Sequence, residues 1–283
     1  MTTIPEQTFG ARLRAAMDSR GPLCAGIDPH VGLLSSWGLT ETVDGLRSFA
    51  LRAAEAMGPV AAAVKPQSAF FERFGSAGVA VLEETVALCR EAGALVILDV
   101  KRGDIGTTAQ AYADAYLDQS SPMAVDCITA SPYLGFGSLD PMIETARRNN
   151  AGVIALALTS NPEGPEFQHA TKPDGRAVAA SVLDSLRAAN DGAAPLGSFG
   201  AVVGATIDPT AVQVDLAING PLLVPGIGAQ GGTADDVRRI FGDVLDLVLP
   251  ASSREILGAG PDAAALRSAV ESAAESFARV AAG

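Results

Sequence analysis

Aromatic residues, histidine, cysteine and positive charge are all in short supply in this chain, and each shortage narrows what it can do. Aromatics make up only 5% of the residues, so Ala, Val, Leu and Ile must fill any interior. There are two histidines, His30 and His169, and three scattered cysteines, Cys24, Cys89 and Cys127, in no metal-ligand spacing. That pattern argues against a zinc site or a disulfide framework. Reduced thiols fit the cytoplasm, and each cysteine reads as a small buried hydrophobe. Twenty Lys and Arg stand against 32 Asp and Glu, a formal charge of −12. A body this acidic repels nucleic-acid backbones and anionic membranes. No apolar run reaches the roughly 18 residues of a membrane span. Residues 1–21 lack the apolar core of a signal peptide.

What is present is apolar material arranged periodically. Hydrophobic residues are 48% of the 283, enough for a large core, and the length suits one (β/α)₈ barrel domain over residues 1–283. Phe9, Leu13, Ala16 and Met17 share one helical face, which predicts a covering N-terminal helix within residues 1–20. Short apolar runs follow at Leu23–Ile27, Val60–Val64, Ala94–Val100, Ala124–Thr129, Val153–Leu158, Ala201–Ala205, Pro221–Val224 and Leu245–Leu249. Several are apolar almost throughout, as in parallel strands covered on both faces. Helical patterns lie between them, at about 40–57, 76–92, 105–118, 138–149, 176–189, 209–218, 233–242 and 262–281. Start signals at Asp208-Pro209, Thr233 and Gly260-Pro261-Asp262 precede three of these. The Pro-, Gly- and Glu-rich stretch 161–176 reads as a loop insertion after the fifth strand. About eight strand–helix units predict an α/β fold of the closed TIM-barrel kind. The rival, an open doubly wound sheet, usually carries GxGxxG after an early strand, and none is found there.

In such a barrel the reacting side chains stand at the C-terminal ends of strands. The residues that end the apolar runs include Asp28, Lys65, Asp99 with Lys101, Ser131, Ser160 and Arg254. The most informative stretch is Ala94–Thr108, ALVILDVKRGDIGTT. Strand side chains alternate, so Asp99 and Lys101 share a face and Val100 takes the other. Gly103 is expected to turn the chain, and Asp104 to head a helix. Lys65 ends the neighbouring strand within reach of Asp99, giving an alternating array of Lys65, Asp99, Lys101 and Asp104. Such a cluster is costly to bury unless every charge is paired. Its plain alternatives are a stabilising salt-bridge network and a helix-capping Asp104. After the seventh run comes Pro225-Gly-Ile-Gly-Ala-Gln-Gly-Gly232, whose backbone N–H groups can face an anion. Arg254 follows the eighth run, and a guanidinium matches two phosphate oxygens.

These segments carry a resemblance. LDVKRGDIGTT is similar to the DxKxxD signature of the orotidine 5′-phosphate decarboxylases. GIDP (Gly26–Pro29), KPQSAFFE (Lys65–Glu72), PGIGAQGG (Pro225–Gly232) and SSRE (Ser252–Glu255) match that family in order, over most of the chain. DxKxxD alone also occurs in related sugar-phosphate decarboxylases; the adjoining RGDIGTT and the KPQ segment make the likeness more specific. The long loops, ASPYLGFGSL among them, resemble the longer-chain bacterial type 2 branch.

The resemblance implies decarboxylation of orotidine 5′-phosphate to UMP in pyrimidine biosynthesis, with no cofactor and no metal. It implies that Lys101, Asp99, Asp104 and Lys65 are catalytic. Asp28 and Lys65 would meet the ribose, Ser160 the pyrimidine (with Thr159, Asn161 and Ser131 as competitors), and Gln230, Ser253 and Arg254 the phosphate. Asp104, Ile105 and Thr108 would reach the site of a second subunit, making a homodimer. The competing expectations are a metal-dependent sugar-phosphate decarboxylase, a Schiff-base aldolase using Lys65 or Lys101, and a non-catalytic nucleotide-binding module.

Overall fold

We describe residues 4–207, 212–226 and 234–282 of a computed structural model. Eight parallel strands close into a barrel in chain order. They are β1 (Cys24–Ile27), β2 (Ala63–Pro66), β3 (Leu95–Arg102), β4 (Cys127–Ala130), β5 (Gly152–Leu158), β6 (Phe199–Val203), β7 (Leu222–Pro225) and β8 (Val248–Ser252). β8 pairs back onto β1 through Cys24–Ala251 and Ala25–Ser252. Closure leaves no unpaired strand edge. The helices are α1 (Phe9–Arg20), α2 (Val31–Ser36), α3 (Val43–Met57), α4 (Ala69–Glu72), α5 (Gly75–Glu91), α6 (Gly106–Leu117), α7 (Asp140–Arg148), α8 (Gly164–Gln168), α9 (Val178–Ala189), α10 (Ala234–Phe241), α11 (Arg254–Leu257) and α12 (Ala263–Ala282). Among the described residues no helix is long and apolar enough to cross a membrane.

Side-chain alternation splits each strand between two cores. Ala25, Val64, Val96, Leu98, Ile128, Val153, Ala201 and Val248 belong to the larger one, which includes the helices outside the barrel. Cys24, Ala63, Leu95, Ile97, Cys127, Ile154, Val202, Leu223 and Leu249 form the smaller one, inside the barrel. Phe9, Leu13 and Met17 of α1 pack into that inner cluster. The N-terminal helix therefore closes the bottom of the barrel. Arg12 fixes it there: its Nη1 bonds Asp126 Oδ1, while Asp126 Oδ2 accepts from the Val96 N–H at 2.9 Å. Burial pushes the Cys24 thiol up to about 12, so it is packing and not a thiolate.

Several boundaries move from the sequence expectation. β2 begins at Ala63, not Val60, because Val60 and Ala61 complete the turn after α3 by donating to the Met57 carbonyl. β4 starts at Cys127, since Ala124 and Val125 bond back to Ser121 and Tyr116. β6 and β8 also shift, and 3₁₀ turns over Gly242–Leu247, broken at Val244, occupy much of the eighth apolar run. An apolar run shows that a segment is buried, not where its ladder starts. The helix expected over 209–218 is absent from 212–218; Arg187 instead ties this irregular segment down through the Asp215 and Ala217 carbonyls. The insertion 161–176 contains α8. The start signals at Asp208-Pro209 and Thr233 lie outside the described residues, whereas Asp262 caps α12 by accepting from the Ala265 N–H at 2.8 Å.

Candidate active site

The parity that puts Cys24, Ala63, Ile97 and Cys127 inside the barrel continues upward to Gly26, Lys65, Asp99 and Thr129. Above a dry lower layer the interior thus turns polar at its C-terminal mouth. Asp99 sits at the centre, 8% exposed. Lys65 Nζ donates to its Oδ2 at 3.0 Å, and Lys101 Nζ to its Oδ1 at 2.6 Å. Thr129 Oγ1 also donates to Oδ1, at 2.7 Å. With its amide nitrogen facing Asp99, Gln67 donates to Oδ2 at 2.8 Å and to the Asp99 carbonyl at 2.9 Å. Each carboxylate oxygen therefore meets one ammonium and one neutral donor.

This pairing resolves the cost of burying the cluster. Burial works against the Asp99 charge, but Lys65 and Lys101, with the hydrogen bonds from Lys101 and Thr129, outweigh it and pull the carboxyl down to about 2. Burial likewise opposes charge on Lys65, yet Asp99 and then Asp28 hold its ammonium above the usual lysine range. Lys65 and Lys101 differ in access. The Lys65 side chain is 12% exposed, whereas that of Lys101 is 44% exposed and open to the mouth.

A left-handed turn falls at Lys101, with φ at 45°, while Gly103 lets the chain pass the Ser131 carbonyl, 2.3 Å from where a β-carbon would stand. A β-carbon crowds the following carbonyl in that region, so a lysine adopts it only where other contacts hold it. Here the Lys101 N–H donates to Thr129 Oγ1 at 3.0 Å. The next residue, Arg102, bonds Glu72 at 2.6 Å, and Glu72 also accepts from Ser68, so the α4 segment is tied to the end of β3.

The other sequence-marked residues surround this centre unequally. Asp28 follows β1 and Ser253 follows its neighbour β8. Asp28 Oδ1 and Ser253 Oγ are both buried without a partner among the described residues. A buried polar atom left unpaired costs about 1–3 kcal/mol, which a polar ligand can recover. Gly26 permits this closeness, because a β-carbon there would lie 2.7 Å from Ser253 Cβ. Arg254 opens α11 and is exposed, with no ion pair among the described residues. Ser160 is exposed beyond β5, packed over Gly204, where a β-carbon would fall 2.0 Å from Ser160 Oγ. Thr159 is occupied: its N–H and Oγ1 bond Gln168 and its hydroxyl donates to Asn161. Ser131 donates its N–H to the Arg102 carbonyl. Gln230 and the glycine run beyond Gly226 lie outside the described residues.

The four-membered array expected from the sequence is three-membered within one chain. Asp104 forms no ion pair among the described residues; its Oδ1 accepts from the Ile105 N–H at 2.8 Å. Nor does it cap α6, whose N-cap is Ile105. Ile105 is 62% exposed and Thr108 is exposed beside it. Thr129 and Gln67 were not singled out from the sequence, although each lies two residues from an inward-facing residue, Cys127 and Lys65, and so has the right parity.

A closed parallel barrel with a Lys–Asp–Lys cluster in its C-terminal mouth defines a (β/α)₈-barrel protein with a paired charge cluster where such barrels carry their chemistry. The comparisons with known proteins are specific. Residues 21–269 match the orotidine 5′-phosphate decarboxylase / HUMPS family, and the chain belongs to it. An orotidine 5′-phosphate decarboxylase of Nocardioides sp. is 65% identical over 253 residues, covering 88% of this chain and 91% of that protein. The enzyme of that name from Salinispora tropica is 59% identical, covering 94% and 95%. A Streptomyces avermitilis crystal structure provisionally named an orotidine 5′-phosphate decarboxylase superposes with a TM-score of 0.95 at 57% identity, covering 98% of this chain and 97% of that one.

Proposed function

We infer that this protein is a carboxy-lyase that converts orotidine 5′-phosphate to UMP, as a cytoplasmic step of pyrimidine biosynthesis. The observation that carries this is the Lys65–Asp99–Lys101 cluster at the barrel mouth, in a chain of this family.

Loss of CO₂ from C6 of the pyrimidine leaves a lone pair in the ring plane, where the π system spreads it poorly. A cation fixed beside C6 meets that need. Lys101 is the cation with access: it stabilises the developing charge and then delivers the proton that replaces CO₂. At about 4 Å and an effective dielectric near 20, one charge pair is worth roughly 4 kcal/mol, about three decades of rate. The remainder comes from substrate groups far from C6, whose binding energy assembles the site. Asp28 and Lys65 meet the ribose. Ser253 and Arg254, with Gln230, meet the phosphate. Ser160 meets the pyrimidine; of its competitors, Thr159 is engaged by Gln168 and Asn161. Asp99 pairs with the Lys101 ammonium at 2.6 Å and aims it. A lysine held as an ammonium is a poor amine nucleophile, so the pairing of Lys65 disfavours an aldolase reading.

The protein works as a homodimer in which Asp104, Ile105 and Thr108 of each subunit complete the other's site. The exposure of Ile105 and Thr108, together with that of Tyr133 and Leu134 on the loop after β4, supports this.

The test is the loss of orotidylate absorbance with purified protein, with and without EDTA. Wild type should turn over equally in both, and Lys101→Ala should abolish turnover while still binding UMP. Wild-type-like activity in that variant would remove Lys101 from its role. EDTA-sensitive turnover would point to metal-assisted chemistry.

A further inference from the structure

We propose that Thr129 is a positioning residue for this reaction: its single hydroxyl sets both the carboxylate and the backbone that together aim the Lys101 ammonium. The inference rests on the decarboxylase reading.

Three observations converge on this hydroxyl. Thr129 is 1% exposed, so water does not substitute for it. Its Oγ1 spends its proton on Asp99 Oδ1, the oxygen that also receives Lys101 Nζ. The same Oγ1 accepts the N–H of Lys101, the one residue of β3 in the left-handed region. A hydroxyl has one donor and two acceptor sites, and here the donor and one acceptor go to the two ends of one catalytic unit.

The consequence follows from the strain. In an extended strand the residue after Val100 would continue the pleat, and the 45° φ of Lys101 breaks that course. Without Thr129 Oγ1 the Lys101 N–H loses its acceptor, and nothing in that bond opposes relaxation toward the extended form. The ammonium then leaves the position it holds beside Asp99 Oδ1. Charge stabilisation and proton delivery depend on placement within about 1 Å, and misplacement of that size costs about 100-fold. Among the described residues Thr129 bonds none of the phosphate- and ribose-binding groups, and Lys65 keeps its bond to Asp99 Oδ2, the oxygen that Thr129 does not touch. Thr129 should therefore act on kcat and leave ground-state binding alone.

The experiment compares wild type with Thr129→Val, Thr129→Ala and Thr129→Ser. Turnover of orotidylate and the Kd for UMP are measured, and Tm is recorded to establish folding. Val keeps the shape without the hydroxyl, and Ser against Ala isolates the hydroxyl without the methyl. Expected is a fall in kcat of about 10- to 100-fold for Val and Ala, with UMP affinity within about twofold of wild type and Ser restoring kcat to within about threefold. If Val does not fold, Ser against Ala decides the matter. A kcat in the hydroxyl-less variants within twofold of wild type overturns the proposal, as does a loss carried entirely in UMP affinity. Failure of wild type itself to consume orotidylate would instead overturn the decarboxylase reading, and this inference with it.

Discussion

At the scale of single residues, the site is governed by one carboxylate that four side chains keep ionised. Asp99 has a folded pKa of about 2 against an ordinary 3.8. At a pH between these values the unfolded chain binds more protons at this residue than the folded one does. Stability from Asp99 is thus fully present above about 3.8 and is lost as pH falls toward 2. Thermal melts between pH 2 and 4 should show wild type losing Tm more steeply than Asp99→Asn, which has no such group to titrate. Parallel slopes would mean that Asp99 is not held ionised by its neighbours. The sequence pointed to the Asp99–Lys101 pairing through a strand's period of two and their opposite charges, but the pairing is made with Lys101 off the extended course, at a φ of 45°. It did not reveal Thr129, a hydroxyl in an apolar run whose importance depends on which strand lies alongside. Nor did it reveal the left-handed turn at Lys101, because nothing in a lysine's chemistry marks it for that conformation.

At the scale of elements, α1 and the strand ends divide the labour. The helix plugs the bottom of the barrel with Phe9, Leu13 and Met17, at the end opposite the cluster of charges. Leu13 is fully buried, so Leu13→Ala should cost about 2–5 kcal/mol in urea unfolding. Its kcat should nonetheless stay near wild type under conditions where it is folded. A variant of undiminished stability would show that the plug is dispensable, and a large kcat loss in the folded variant would show that the two ends are coupled. The amphipathic spacing identified this helix. Its destination was not legible, since the apolar stripe does not say whether it lies along the outer helices or across the barrel floor. The strand starts were blurred for a related reason: at β2 and β8 the apolar run continues through a turn or a 3₁₀ helix.

At the scale of the whole molecule, one chain holds Lys65, Asp99 and Lys101 together while Asp104, among the described residues, bonds only its neighbour's N–H. If Asp104 serves the other subunit, two inactive variants can repair each other. Asp99→Ala mixed with an equal amount of Asp104→Ala, after subunit exchange, should regain about a quarter of wild-type activity, since half the dimers are hybrid and each has one intact site of two. No recovery despite demonstrated exchange would place both residues in the same chain's site. Sedimentation of wild type should show a dimer.

Taken by itself, the sequence determined the alternation of strands and helices, the barrel class, the residues at strand ends and the pairing of Asp99 with Lys101. These follow from periodicities of 2 and 3.6 and from charge, which act between near neighbours. Only the tertiary structure decided that Gln67 and Thr129 share the carboxylate, that Lys101 bears the strained turn, that α1 seals the floor and that Asp104 stands apart from its own chain's array. Those depend on closure of β8 onto β1 and on the register between adjacent strands, which join residues that no local pattern relates.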